Sequence, residues 1–251
     1  HMNKKKRHRK LNKKRVFTLL IFLLGIIFFI IFLLNLRVKN ILIIGNTYIK
    51  DSEIIRKCNL KDYPYYKDIN KKTIENTINN IPLLNKTKVL KKLNGTLKII
   101  VEEEKPLLYL NDTSKIITDQ NNTYENINLD IISMPTLKNN ISIETQKYLV
   151  TALSKIKTNL LEMISEIEYT PTISQNGTII DDKRFTFYMN DSNIAVINAI
   201  NIDKFNNYLK IVSKTMDSFD SSVKGTYNFD SGTSNVFFSK FGSKESSNDE
   251  N

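Results

Sequence analysis

Histidine is almost missing from this 251-residue chain, and its two copies, His1 and His8, both lie within the first eight positions. Cysteine occurs once, as Cys58, and tryptophan not at all. Beyond residue 8, then, no imidazole can act as general base for a serine or cysteine nucleophile. A single thiol can neither close an internal disulfide nor, without histidines, build a zinc tetrahedron. The seven glycines (Gly25, Gly45, Gly95, Gly177, Gly225, Gly232 and Gly242) are scattered, so no Gly-rich loop can cradle a phosphate. No cofactor and no metal are expected.

Acidic residues are absent from the first 15 positions, which hold nine of the 37 Lys and Arg. Without that tail, 28 basic residues face 26 acidic ones, so the net charge of +11 belongs mainly to the tail. A basic run can bind phosphates, but no basic surface interleaved with aromatics follows it, and no nucleic-acid partner is expected.

Val16 to Leu36 carries no charge over 21 residues. At 1.5 Å per residue these reach about 31 Å, the thickness of a bilayer's hydrocarbon core. The run is longer than a signal-peptide core and exits through Asn35-Leu36-Arg37 rather than through small residues, so a retained span is expected. Lys13, Lys14 and Arg15 close the basic tail, and only Arg37 and Lys39 follow closely. The positive-inside rule therefore puts the N-terminus in the cytoplasm and the bulk of the chain outside.

After the span, Val38–Ile44 reads as a strand ended by Gly45-Asn46. Asp51 reads as the N-cap of a helix with Ile54, Ile55 and Cys58 on its apolar face. Asn70 reads as the cap of a second helix with Ile74, Ile78 and Ile81 on one stripe and Pro82 as its stop. A hairpin follows, with Asn94-Gly95 as a type I′ turn and Leu97, Ile99 and Val101 alternating with Lys98, Ile100 and Glu102. The order is β-α-α-β-β.

This ordered set resembles a POTRA domain, and in particular that of the FtsQ/DivIB family of bacterial cell-division membrane proteins. The family's acidic-x-x-Pro strand end corresponds to Glu103-Glu104-Lys105-Pro106. The resemblance implies a basic cytoplasmic tail (1–15), a transmembrane helix (16–36), an α+β POTRA domain (37–110), a second, mostly antiparallel β domain with flanking helices (111–238) and a disordered C-terminal tail (239–251).

Within the second domain, Leu149, Leu153, Ile156 and Leu160 predict one amphipathic helix. Strands are expected near Thr178–Ile180, Phe185–Met189 and Ile194–Ile197. Asp203 is expected to cap a last helix carrying Phe205, Leu209, Val212 and Met216. The family's aromatic-Asp-Ser-Gly element maps to Phe229, Asp230, Ser231 and Gly232, followed by Phe237. The resemblance implies that this edge takes up a strand from an FtsB/DivIC-type partner paired with FtsL. On the residues alone, Phe229 and Phe237 read equally as core.

The function that the resemblance implies is a non-enzymatic divisome scaffold in the cell membrane, enriched at the septum. It would bind FtsL-type and FtsB/DivIC-type single-pass proteins and act indirectly on the septal peptidoglycan synthase complex. Two other classes compete. A membrane-anchored cell-wall glycan hydrolase needs only two carboxylates; Glu102-Glu103-Glu104 is its candidate cluster, while Asp181-Asp182 reads as a turn and Glu162, Glu166 and Glu168 as a solvated helix end. A translocation factor would need serial POTRA units or barrel strands, and neither pattern is seen.

Overall fold

A computed structural model describes residues 12–111, 113–125, 127, 133–219, 222–231 and 235–242. The chain divides into two compact units between Glu103 and Glu104.

The first unit opens with helix α1, Lys13–Asn35, 23 residues and about 35 Å long. None of its side chains is buried against protein. It starts three residues before Val16 because Asn12 caps it, accepting the Lys14 N–H at 3.2 Å. The next three residues are already part of the folded domain. Tyr66 N–H donates to the Leu36 carbonyl at 2.9 Å and Val38 N–H to that of Pro64 at 3.0 Å, and both Leu36 and Val38 are buried.

Strand β1 (Asn40–Ile44), helices α2 (Asp51–Lys57) and α3 (Lys71–Asn79), and strands β2 (Leu84–Lys91) and β3 (Thr96–Glu103) then follow in the expected order. The sheet order is β1-β3-β2, with β1 parallel and β2 antiparallel to the central strand. Leu97, Ile99 and Val101 alternate inward on β3, and Ile54, Ile74 and Ile78 are the buried helix residues.

Two local expectations are corrected. Lys50, not Asp51, holds the N-cap position of α2; Asp51 is its first residue and accepts from Asn46 Nδ2 at 2.7 Å. The Asn94-Gly95 turn is not type I′, because Gly95 (φ +90°) has a left-handed backbone and Asn94 does not. Gly95 N–H closes the turn on the Lys92 carbonyl at 3.0 Å. A Cβ at Gly95 would sit 2.8 Å from Cγ of Lys39, so this position has both the backbone and the crowding that call for glycine.

The second unit is built on a nine-stranded sheet ordered β14-β13-β12-β11-β8-β7-β4-β5-β6. Its strands are β4 (Pro106–Leu110), β5 (Lys115–Thr118), β6 (Thr123–Glu125), β7 (Thr136–Leu137), β8 (Ile164–Tyr169), β11 (Arg184–Met189), β12 (Ile194–Asn198), β13 (Gly225–Asn228) and β14 (Phe237–Lys240). Strands β9 (Thr172–Ile173) and β10 (Ile179–Asp181) form a separate small hairpin. Five of the eight neighbouring pairs in the large sheet are antiparallel. The other three, β12/β13, β4/β7 and β7/β8, are parallel. Two of these are crossovers through helical segments, as parallel neighbours require.

The expected boundary after residue 110 lies earlier, because Pro106–Leu110 is strand β4, paired with β5 and β7 of the second sheet. Ser239 and Lys240, expected in the tail, belong to β14. The single helix expected over Leu149–Leu160 is two, α4 (Ile143–Ser154) and α5 (Thr158–Leu161). The Asn206 amide forces the break: it donates to the Lys155 carbonyl and accepts the Lys157 N–H, both at 3.0 Å. All four apolar residues of that stripe are nevertheless buried.

Nor does Asp203 cap the last helix. Asn198 accepts the Ile200 N–H at 3.1 Å and starts a 3₁₀ segment, Ala199–Asn207, which runs into α6 (Tyr208–Ser218). Leu209 consequently turns outward and Tyr208 takes the buried position. One face of the sheet carries Phe185, Phe187, Ala195, Ile197, Tyr227 and Phe229, packed in one core with residues of α4, the 3₁₀ segment and α6.

Candidate functional site

The end of the large sheet at β13 and β14 gathers the residues that the sequence singles out, and sorts them into two environments. Phe229, just past β13, is buried. Its ring meets Phe205 edge-on at 5.5 Å and lies 6.4 Å from Tyr208. Its N–H donates to the Val196 carbonyl at 2.8 Å, so it continues the β12/β13 ladder. Phe237, at the start of β14, is 57% exposed. It stands opposite Asn228, whose side chain shares its outward face.

The residues between them shape the turn. The Asp230 carboxylate lies 3.5 Å from Arg184 Nε, and its N–H donates to Asn228 Oδ1 at 2.9 Å. The Ser231 carbonyl accepts from Lys204 Nζ at 3.0 Å, and its hydroxyl donates to the Asn235 carbonyl. Gly232 lies outside the described residues. Of the expected set, then, Phe237 faces outward while Phe229 is a packing residue.

Residues outside the aromatic-Asp-Ser-Gly element hold the edge in place. Phe238 stacks on Tyr227 at 4.7 Å and reaches Phe219 at 5.8 Å, which fixes β14 from the inner side. Gly225 lets the strands close, since a Cβ there would fall 2.2 Å from the Ser239 carbonyl oxygen and 2.6 Å from the Phe238 ring. Its N–H donates to the buried Asn193 Oδ1 at 3.1 Å. The alternation of Gly225, Tyr227 and Phe229 was the available signal, because a period of two places all three on one face. Beneath them Tyr208 donates to both oxygens of Asp191, at 3.0 and 2.8 Å. Burial, together with that bond, pushes its phenol well up.

The clusters that could carry other chemistry have structural partners. Glu103 accepts three backbone N–H groups, those of Thr47, of Tyr48 (2.8 Å) and of Ile49 (2.7 Å). The buried Glu104 accepts from Thr118 Oγ1 (2.6 Å), Asn122 Nδ2 (2.8 Å) and Tyr124 Oη (3.1 Å). Glu102 pairs with Lys86 at 2.9 Å on the exposed face.

Glu166 and Glu168 lie on strand β8 rather than at a helix end, with Lys138 at 3.5 and 3.9 Å. Tyr188 donates to Glu168 at 2.6 Å, and this bond, with burial, pushes its phenol up to about 12. Asp181 accepts from Asn198 Nδ2 at 2.7 Å. Burial raises the lone thiol, Cys58, to about 11. Among the described residues no group of three or more His, Cys, Asp or Glu is placed to hold a metal ion.

The chain is similar to known proteins. The family model of the FtsQ-type POTRA domain matches residues 36–104. Cell division protein DivIB of Brevibacillus brevis is 24% identical over 215 residues, covering 83% of this chain and 79% of its own. That of Bacillus subtilis is 25% identical over 247 residues, covering 96% and 89%. Among solved structures, the major extracytoplasmic domain of the trans isomer of DivIB from Geobacillus stearothermophilus matches at 18% identity. It covers 49% of this chain and 99% of its own, with a TM-score of 0.31.

Proposed function

We propose that this chain, whose POTRA match and DivIB relatives support the FtsQ/DivIB family, is a membrane-anchored cell-division protein that works as a non-enzymatic scaffold. Helix α1 is the single anchor. Lys13, Lys14 and Arg15 lie in its first turn and hold that end on the cytoplasmic side, leaving both folded units outside. At the septum the chain binds FtsL-type and FtsB/DivIC-type single-pass proteins and so bears on septal peptidoglycan synthesis.

The binding element is the β14 edge. The observation that carries this reading is a terminal strand with β13 as its sheet neighbour, locked from inside by Phe238 and presenting Phe237 outward. A partner strand adding here gains main-chain hydrogen bonds, while Phe237 supplies apolar specificity. Asp230 and Ser231 act indirectly by holding the turn, and Phe229 acts by packing. Gly232, outside the described residues, is assigned to the binding element by the sequence resemblance alone.

The test uses the full chain in lipid nanodiscs and the outer portions of an FtsL-type and FtsB/DivIC-type pair. Phe237→Asp is expected to weaken binding at least tenfold with an unchanged circular dichroism spectrum. Wild-type binding by that variant, or no binding by the folded wild type, would sink the edge mechanism.

A further inference from the structure

Helix α1 does not lead into a tether. Three chain segments are knitted together at its exit. Tyr66 N–H donates to the Leu36 carbonyl at 2.9 Å, joining the helix end to the 63–67 loop. Lys39 N–H donates to the Gly95 carbonyl at 2.7 Å, joining β1 to the tip of the β2–β3 hairpin. Lys91 Nζ donates to the carbonyls of Tyr66 (2.5 Å) and Ile69 (2.6 Å), joining that hairpin to the loop. The three segments form one rim around the point where α1 ends.

The rim's composition is that of a membrane interface. The Arg37 guanidinium lies 4.0 Å from the Tyr65 ring centroid and also donates to Tyr65 Oη at 2.7 Å; Lys67 sits 5.2 Å from the same ring. Tyr63 is 47% exposed and holds a left-handed backbone (φ 47°), uncommon for a bulky residue and the kind of strain found where a side chain has a task. Leu93, at the hairpin tip, is 76% exposed. Lys39, beside it, packs its stem over Gly95. Asp62 and Asp68 flank the loop, offset in number by the exposed Lys61 and Lys92, and Arg37, Lys39 and Lys67 leave the rim with a net positive charge. Rings at headgroup level, cations beside them and an exposed leucine are the features that seat a protein on a bilayer surface.

We propose that this rim is a second membrane-binding surface, which seats the first unit on the leaflet from which α1 emerges. Leu93 and Tyr63 enter the interface, and Arg37, Lys39 and Lys67 hold the headgroups of anionic phospholipids. The proposal rests on reading α1 as a span. The bilayer is the fitting occupant because the rim is joined to the last turn of that helix with no intervening linker. The first unit is then a fixed platform at one height above the membrane.

The chain's lack of tryptophan supplies the test. Leu93→Trp and, at the other end of the same hairpin, Lys86→Trp are each placed in the full chain in nanodiscs. One set is phosphatidylcholine alone, the other includes phosphatidylglycerol, with and without brominated acyl chains. Leu93→Trp is expected to show a blue-shifted emission maximum and strong quenching by brominated lipid, more so with phosphatidylglycerol. Lys86→Trp should stay red-shifted and open to aqueous iodide. Solvent-like emission from Leu93→Trp in incorporated, folded chain would overturn the proposal while leaving the anchor intact. Equal quenching in both lipid sets would overturn its selectivity for anionic headgroups. A chain that fails to co-elute with nanodiscs would overturn the reading of α1 and the rim with it.

Discussion

Phe229 and Phe237 stand eight positions apart and have opposite tasks. Phe229 is sealed among Phe205, Tyr208 and the sheet, so Phe229→Ala should cost about 3–5 kcal/mol in urea unfolding and weaken partner binding only through the fold. Phe237→Ala should be close to neutral in the same experiment. Cys58 behaves as a packing residue. With its thiol raised from 9.0 to about 11, its thiolate fraction at pH 8 falls about a hundredfold, and alkylation by iodoacetamide should slow by a similar factor until urea is added. Tyr188 gives a pH signature. Its phenol is held up to about 12 in the fold against about 10 when unfolded. The stability it contributes is therefore complete below pH 10 and is lost as pH rises from 10 through 12. Tyr188→Phe should flatten that part of the stability–pH curve, read as urea midpoints from pH 9 to 12.

At the scale of elements, single polar groups decide where helices and strands stop. Glu103 ends β3 by gathering the three N–H groups of residues 47–49, which pins the loop after β1. Glu103→Ala leaves those donors without their acceptor and should lower the first unit's stability by about 2 kcal/mol in urea unfolding. Asn206 separates α4 from α5 by bonding both sides of the break, although the apolar stripe runs on through it. Gly225 decides whether β14 exists as a strand. Gly225→Ala would push the Ser239 carbonyl and the Phe238 ring away, so the amides of residues 237–240 should exchange faster with deuterium while those of β11 and β12 keep their protection.

At the scale of the molecule, the join between anchor and first unit matters most. Leu36 and Val38 are buried in the first unit and bonded to its 64–66 loop, so the membrane helix runs into that unit with no linker between them. A water-soluble fragment beginning at Lys39 should be less stable than one beginning at Leu36 by roughly 3 kcal/mol, the burial of two apolar side chains. Urea unfolding of the two fragments checks it. A joint of this kind would suit the scaffold proposed above, because confinement of its partners to the same bilayer would raise effective concentration.

The local grammar of the chain is strong where one period dominates. The apolar run of α1, the β-α-α-β-β order, the Asn70 cap and the strands at Arg184–Met189 and Ile194–Asn198 all follow from hydrophobic spacing and short-range capping, which need no distant partner. The tertiary structure decided what depends on contacts far apart in sequence. Asn206 reaches back 51 positions to break a helix, Lys204 reaches forward 27 to hold the Ser231 turn, and β4 joins the second sheet because β7 and β5 offer it ladders. Phe229 became core and Phe237 surface for the same reason: Phe237 pairs across the strands with Asn228, so it shares that residue's outward face, whereas Phe229, the next residue after Asn228, points inward.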